Sequence, residues 1–228
     1  MITLYQFATS PLCEKVRRIL NYKGLPFEIH EVPRMEVAKY ERVSPTGKFP
    51  AIDDDGTPVW DSTDIAHHLE AKPGTPALLP SDPREAAMVH VIEDWADESL
   101  YFYEITMRVA WEHNAGKVAA EFAATMPGAT AETILPLVTK NAQELTSKQG
   151  LGRKPQDQVV RDVERHLAAL EGLLGEGDWL VGDGITLADI AVAVELNALE
   201  YAQEGAERLA ASAPISAWRA RVAEVAPD

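Results

Sequence analysis

The sequence predicts a two-domain protein, in which a small α/β domain is followed by an all-helical domain. Short β-prone segments at 2–7 and 27–32 enclose a segment of helical periodicity, which makes a βαβ unit. A proline-rich stretch at 72–84 separates this unit and the elements that follow it from the rest of the chain. Beyond that stretch, apolar residues recur mainly at helical spacing. We therefore expect three parts: a domain at 1–73, a linker at 74–84 and a helical domain at 85–228.

Local signals define the elements of the first domain. Ser10 is a candidate N-cap and Pro11 stands at the favoured first helical position, so the first helix begins there and stops near Gly24. The segments FPAI and PVW flank the turn residues 53–56 and predict a hairpin. Ser62 is the candidate cap of the closing helix. The resulting order β-α-β-β-β-α is typical of the thioredoxin-like fold.

The second domain contains three clear helical patterns. They are a long amphipathic stretch at 85–113, a regular helix at 159–175 and an apolar, buried helix at 185–202. Residues 178–184 predict a loop, and 115–157 is the least regular part of the domain.

Composition and charge exclude several classes of function. The chain has 46% hydrophobic and 25% charged residues, typical of a soluble globular protein, and no apolar run approaches the roughly 20 residues of a membrane helix. Its N-terminus lacks a signal-peptide pattern and Cys13 is the single cysteine, so we expect a cytoplasmic protein without a membrane partner. A net charge of −15 argues against nucleic-acid binding. The histidines show no metal-ligand spacing, so no metal is expected.

Because the protein is acidic, an anionic ligand requires locally concentrated positive charge. Lys15, Arg17 and Arg18 follow Cys13 closely, and Lys48 precedes Phe49-Pro50. A solvated helix surface is the simpler interpretation of Arg17 and Arg18.

A motif between the first strand and the first helix suits thiol chemistry. In Ser10-Pro11-Leu12-Cys13, the backbone N–H groups and dipole at the helix start stabilise a thiolate, and a serine hydroxyl can donate a hydrogen bond to it. Lowering a thiol pKa from about 8.5 to about 6.5 requires roughly 2.7 kcal/mol. Taken alone, Ser10 is better explained as a helix cap, as most such serines are.

Two further motifs suit the binding of a small peptide. In Lys48-Phe49-Pro50-Ala51, a cis proline would turn the Phe49 backbone outward, where it can pair with another peptide backbone. An ordinary trans proline at a strand start is the alternative. Asp61 and Ser62 together offer a carboxylate and a hydroxyl for an amino-acid head group, although a cap and a solvated turn also explain them.

The order and spacing of these motifs resemble the glutathione site of the glutathione transferase superfamily, in its serine-using and cysteine-using branches. Leu78-Leu79-Pro80 matches the family's domain junction, and Gly182 to Asp189 resembles its capping-box motif, with Thr186 as cap and Asp189 returning to the Thr186 N–H. The resemblance implies the glutathione transferase fold, in which a thioredoxin-like domain precedes an all-α domain, and a homodimer.

The resemblance also implies roles for individual residues. Ser10 would face the glutathione sulfur, Phe49 would pair with the cysteinyl backbone and Pro50 would be the cis proline. Asp61 and Ser62 would hold the γ-glutamyl end, and Lys48 would meet the glycine carboxylate. Glutathione would serve as co-substrate with a small electrophile as its partner, and no metal or redox cofactor is implied.

Two other residues compete with Ser10 for the central role. Cys13 corresponds to the second cysteine of a thioredoxin-type pair, and without a cysteine at position 10 a buried packing role is favoured. Tyr5 is the other candidate, because some classes use a tyrosine near the end of the first strand.

One departure from the family pattern bears on function. The segment Gly150-Leu151-Gly152-Arg153 and the helix after it resemble the metaxin and failed-axon-connections branch, which is associated with binding and organising roles. Two hypotheses therefore stand: a glutathione transferase that activates the thiolate for attack on a small electrophile, and a non-catalytic binding protein with the same fold.

Overall fold

A computed structural model describes residues 1–228, and its first domain is built on a four-stranded sheet. The strands are β1 (Ile2–Gln6), β2 (Phe27–Glu31), β3 (Ala51–Asp54) and β4 (Thr57–Trp60), in the spatial order β2-β1-β3-β4. Strand β1 runs parallel to β2 and antiparallel to β3, and β3 and β4 form the predicted hairpin. The predicted order of elements and the thioredoxin-like fold are confirmed.

Two helices of the first domain pack on the sheet through fully buried apolar residues. Helix α1 (Pro11–Tyr22) buries Val16, Ile19 and Leu20. Helix α2 (Ser62–Glu70) buries Ile65 and Leu69. The connection between β2 and β3 contains a 3-10 helix, Arg34–Tyr40, where the sequence predicted no element.

The predicted cap of α2 was wrong by one residue. Asp61, not Ser62, is the N-cap: its Oδ1 accepts hydrogen bonds from the N–H groups of Thr63 at 2.9 Å and Asp64 at 3.5 Å. Ser62 is the first residue of the helix, and its hydroxyl is buried against the second domain. The Asp61 carboxylate, two residues before Thr63 and three before Asp64, therefore replaces the expected hydroxyl.

The second domain is helical throughout, as expected. Its helices are α3 (Pro83–Trp95), α4 (Tyr101–Ile105), α5 (Gly116–Ala124), α6 (Ala131–Gln149), α7 (Gln156–Leu174), α8 (Leu187–Leu199), α9 (Gln203–Ala211) and α10 (Ala213–Val225). None of the helices combines the length and the apolar character that crossing a membrane requires.

The long predicted helix at 85–113 forms a single helical rod that contains two π-helical stretches. It begins at Pro83, with Asp82 as N-cap, and continues through α3 and α4 to Ala110. Two stretches of the rod, Ala96–Leu100 and Thr106–Ala110, are π-helical. Such widened turns occur frequently at functional sites.

The two domains share one hydrophobic core. Leu4, Ile19 and Ile65 of the first domain belong to the same buried cluster as Leu100 and Ile190 of the second. Helix α8 lies at its centre and is buried along nearly its whole length. Burial of this continuous apolar surface fixes the orientation of the domains and hence the shape of the cleft between them.

A buried ion cluster crosses the same domain interface. The Lys15 ammonium, with 0% of the residue exposed, donates to Glu93 at 2.5 Å and to Asp97 at 2.6 Å on the long rod. Burial by itself lowers the pKa of Lys15, but the carboxylates of Asp97 and Glu93 outweigh it and raise that pKa. Lys15 is therefore a charged structural residue.

Local motifs of the second domain follow the sequence closely. Asp189 accepts the Thr186 N–H at 2.9 Å, which forms the predicted return of the capping box. The segment Leu151–Arg153 forms a 3-10 turn against the end of α6, and a side chain at Gly152 would collide with Thr146. Close packing thus explains this glycine, while the metaxin-like resemblance of the segment stays a prediction.

Candidate functional site

A cavity of about 820 Å³ lies between the two domains, and every residue predicted for the site lines it. The first domain contributes the six residues Ser10, Lys48, Phe49, Pro50, Asp61 and Ser62. The opposite wall comes from the long rod and from α5 and α6. A cleft of this size between two domains is a usual location for a small-molecule site.

Ser10 stands at the start of α1 with its hydroxyl positioned by the helix. Its backbone is extended (φ −87°, ψ 126°), and its Oγ accepts the Cys13 N–H at 3.4 Å as an N-cap. Because Oγ acts as an acceptor in this bond, its own hydrogen remains available to a ligand in the cavity. The positive end of the α1 dipole is directed to the same point, which favours an anion beside Ser10.

The two competitors of Ser10 lie outside the cavity. Cys13 is fully buried, and burial raises the pKa of its thiol to about 11, against the weaker opposing effect of the Phe7 N–H, which donates to its sulfur at 3.4 Å. A thiol with this pKa is almost entirely protonated at neutral pH and is a poor nucleophile. Tyr5 packs its ring against His30 and Tyr40, at centroid distances of 5.0 and 5.9 Å.

The peptide bond between Phe49 and Pro50 is cis, as the motif predicted. The N–H and C=O of Phe49 make no hydrogen bond with the rest of the chain, so both are available to a ligand. Lys48 is exposed at the rim of the cavity, and its ammonium forms no ion pair. The Phe49 ring packs edge-on against Phe7 at a centroid distance of 5.3 Å.

An acidic wall lies next to Asp61 and Ser62. The Ser62 hydroxyl donates to Oδ2 of Asp97 at 3.0 Å, while Oδ1 of Asp97 is buried without any hydrogen-bond partner. Burial raises the pKa of Asp97, and the Lys15 ammonium opposes this shift. A buried carboxylate therefore lies directly behind the Ser62 hydroxyl, one of the two groups predicted to hold an amino-acid head group.

The positive charges of the site come mostly from residues that the sequence analysis missed. Arg34 and Arg108 line the cavity, and both bind Thr9: Arg34 donates to Oγ1 of Thr9 at 3.0 Å, and Arg108 donates to its carbonyl at 3.4 Å. Arg108 also binds Glu104 through two hydrogen bonds, of 2.6 and 3.0 Å. The i,i+4 spacing of Glu104 and Arg108 was a visible signal for this pair. Arg34 had no comparable signal, because its partners are distant in sequence.

The basic residues after Cys13 do not supply charge to the cavity. Lys15 is used by the ion cluster, Arg17 binds Asp228 and Gln6, and Arg18 binds Glu14 and the carbonyl of Ala226. Both arginines are buried at the domain interface. The expected solvated helix surface is thus wrong, and their role is to hold the C-terminal segment against α1.

The fold joins a thioredoxin-like domain to a helical domain, with the cavity between them. A family model described as the glutathione S-transferase N-terminal domain matches residues 4–77, and a model of the C-terminal domain of the same family matches residues 142–221. The two models together match more than half of the chain. The protein belongs to the glutathione S-transferase superfamily.

Individual relatives share about a quarter of their residues with this chain. The isoprene-epoxide–glutathione S-transferase of Rhodococcus sp. is 27% identical over 203 residues, which are 84% of either protein. The crystal structure of the β-etherase LigF from Sphingobium sp. is 26% identical and has a TM-score of 0.68, covering 97% of this chain and 94% of that one. FtsZ-localized protein A of Caulobacter vibrioides is 25% identical over 87% of this chain and 77% of its own length.

Proposed function

We propose that the protein is a glutathione transferase that binds glutathione in the first domain and activates its thiol for attack on an electrophile held against the helical domain. The observation that carries this proposal is that all six residues expected to contact glutathione line one cavity, although they come from three separate segments. The isoprene-epoxide–glutathione S-transferase among the relatives supports the same class of reaction.

The charge distribution of the cavity suits a zwitterionic tripeptide. Asp61, which lines the cavity, would receive the γ-glutamyl ammonium, and Asp97 behind Ser62 adds negative charge at the same place. Lys48, the first residue of the Lys48-Phe49-Pro50-Ala51 motif, would bind the glycine carboxylate. The backbone of Phe49 would pair with the cysteinyl residue between them.

In this arrangement the sulfur lies beside Ser10. The hydroxyl would donate a hydrogen bond to the thiolate, and the N-terminus of α1 would add its dipole. Both interactions favour the ionised sulfur over the neutral thiol, so they lower its pKa and raise the fraction of nucleophile at neutral pH. The remaining contribution is positioning of the electrophile at attack distance.

A kinetic comparison of two variants tests this proposal. Ser10→Ala should lower kcat for conjugation of an aryl halide by about 10²-fold and raise the apparent pKa of the kcat profile, because the thiolate loses its donor. Cys13→Ala is the control and should change kcat little, since its thiol is buried and protonated. Activity that survives Ser10→Ala and is lost in Cys13→Ala would show that Cys13 is the nucleophile.

The second candidate is a binding protein without turnover, and the similarity to FtsZ-localized protein A favours it specifically. Retention on a glutathione column combined with no conjugation of any aryl halide would support this alternative. Measurable conjugation by the purified protein, lost in Ser10→Ala, would support the transferase.

A further inference from the structure

Arg34 is the residue of the cavity whose chemistry the glutathione site leaves unused. It lies directly after β2, at the start of the 3-10 helix, and its side chain crosses to the helical domain. The guanidinium lies over the ring of Phe7 at 4.1 Å from its centroid and over the ring of Phe122, on α5, at 3.8 Å. Two aromatic rings thus hold the guanidinium between the domains.

No carboxylate lies within ion-pair distance of this cation. One of its N–H groups binds the hydroxyl of Thr9 at 3.0 Å, and Arg34 forms no salt bridge, whereas the neighbouring Arg108 donates two hydrogen bonds to Glu104. Burial lowers the pKa of Arg34, and the more distant carboxylate of Glu31 opposes this shift, although Arg34 remains protonated in water. A partly buried guanidinium without a salt bridge, in a protein of net charge −15, is suited to an anionic partner from outside the chain.

The surroundings of Arg34 define the rest of that partner. The helical wall beside it is apolar and includes Ile105, Val118, Phe122, Val138 and Leu145. A ligand that fills this part of the cavity needs an apolar body, and one that also reaches Arg34 needs an anionic group at its edge. The planar fork of arginine matches a carboxylate in two parallel hydrogen bonds.

We propose that Arg34 selects electrophiles in which a carboxylate is attached to an apolar, aromatic-sized body, an inference that rests on the proposed transferase function. The glycine carboxylate of glutathione is assigned to Lys48, which is exposed beside Phe49, whereas Arg34 is in contact with α5 in the helical wall. Thr9 connects Arg34 to Ser10 along the backbone, so an electrophile bound by its carboxylate remains within reach of the thiolate.

The test uses two aryl chlorides that differ only in charge, 4-chloro-3-nitrobenzoate and 4-chloro-3-nitrobenzamide. In both, the thiolate attacks the carbon that bears chlorine, the C–S bond forms, and chloride leaves with the bonding electron pair. The ratio of kcat/KM for the benzoate and the benzamide, divided by the ratio of their uncatalysed rates with glutathione, isolates recognition of the carboxylate from intrinsic reactivity.

Three variants make the comparison specific. Arg34→Met keeps an unbranched side chain between the two rings and should lower the corrected ratio about tenfold or more, the usual effect of losing a charge-assisted hydrogen bond. Arg34→Lys should restore part of the ratio, because it keeps the charge without the fork. Arg161→Gln removes an equal charge from the exposed surface of α7 and should leave the ratio unchanged.

The remaining outcomes distinguish a failure of the Arg34 inference from a failure of the proposed transferase function. An equal fall for both substrates in Arg34→Met, with weaker glutathione binding by calorimetry, would assign Arg34 to glutathione and overturn the inference. If the wild type conjugates neither compound, the transferase function fails. In that case, binding of 3-nitrobenzoate against 3-nitrobenzamide still tests Arg34: equal affinities in the wild type would overturn the inference, and a preference for the benzoate lost in Arg34→Met would support it.

Discussion

Replacing Asp189 by alanine should destabilise the protein far more than the loss of an ordinary helix cap. The residue is fully buried, and its two oxygens accept four hydrogen bonds. Oδ2 accepts the N–H of Thr186 at 2.9 Å and its hydroxyl at 2.8 Å, while Oδ1 accepts the N–H of Leu180 and the Nε1–H of Trp218, both at 2.9 Å. One side chain thus connects the 178–184 loop, the start of α8 and helix α10.

The expected loss follows from the donors that the substitution leaves behind. Three buried N–H groups would lose their acceptor, and each such group costs about 1–3 kcal/mol, whereas a capping residue alone is worth about 1 kcal/mol. Allowing for relaxation, we expect a loss of at least about 3 kcal/mol in the free energy of unfolding. In a protein of this size that corresponds to a fall of about 6 °C or more in Tm.

Thermal unfolding followed by far-UV circular dichroism measures this loss directly. Asp183→Ala is the matched control, because Asp183 lies exposed in the same loop. The Tm of Asp189→Asn should lie between those of Asp189→Ala and Asp183→Ala. The asparagine amide retains one acceptor oxygen, but its NH₂ group faces the donors that the second carboxylate oxygen had bound. A Tm for Asp189→Ala within about 2 °C of that for Asp183→Ala would refute the reasoning.

Two further predictions concern the ligand site and its buried surroundings. Asp61→Asn keeps the cap of α2 but removes the charge, so glutathione affinity by calorimetry should fall about tenfold or more with little change in Tm; unchanged affinity would remove Asp61 from the site. Glu195, on α8, is fully buried with both carboxylate oxygens unpartnered, and burial, with the charges of Glu104 and Asp97, raises its pKa well above the usual range against the opposing effect of Arg108 and Lys15. Its protonated form therefore stabilises the fold below the unfolded-state pKa, near 4.3, and this contribution is lost as pH rises toward the folded-state pKa, by up to about 1.4 kcal/mol per pH unit. The stability of Glu195→Gln relative to wild type should accordingly increase from pH 5 to pH 9, and a constant difference would contradict the buried neutral carboxyl.

Features set by neighbouring residues were predictable from the sequence. The cap at Ser10, the hairpin at 51–60 and the return of Asp189 to Thr186 each depend on contacts within a few positions, so propensity and spacing were enough. The error at Asp61 is of the same local kind, because Asp and Ser are almost equally good caps and the sequence does not rank them.

Features set by tertiary contacts were not predictable. Lys15 was a candidate source of positive charge for an anionic ligand, yet it is fully buried because Glu93 and Asp97 approach it from another domain. Arg34 likewise acquires its place from Phe122, which lies far along the chain. Burial of a charge depends on which partners the fold brings together, and the spacing within either segment does not specify them.

The two π-helical stretches of the long rod let it carry extra residues without changing which side chains face the cavity. An α-helix turns about 100° per residue and a π turn closes over one residue more than an α turn, so the residues on either side of Ala96–Leu100 face as they would in an uninterrupted α-helix with one residue fewer. Deleting one residue from this stretch should therefore restore α winding and leave Tyr101, Ile105 and Arg108 in the cavity wall. Deleting one residue from α3, where no π turn absorbs the change, would instead rotate the two parts of the rod relative to each other by about 100°.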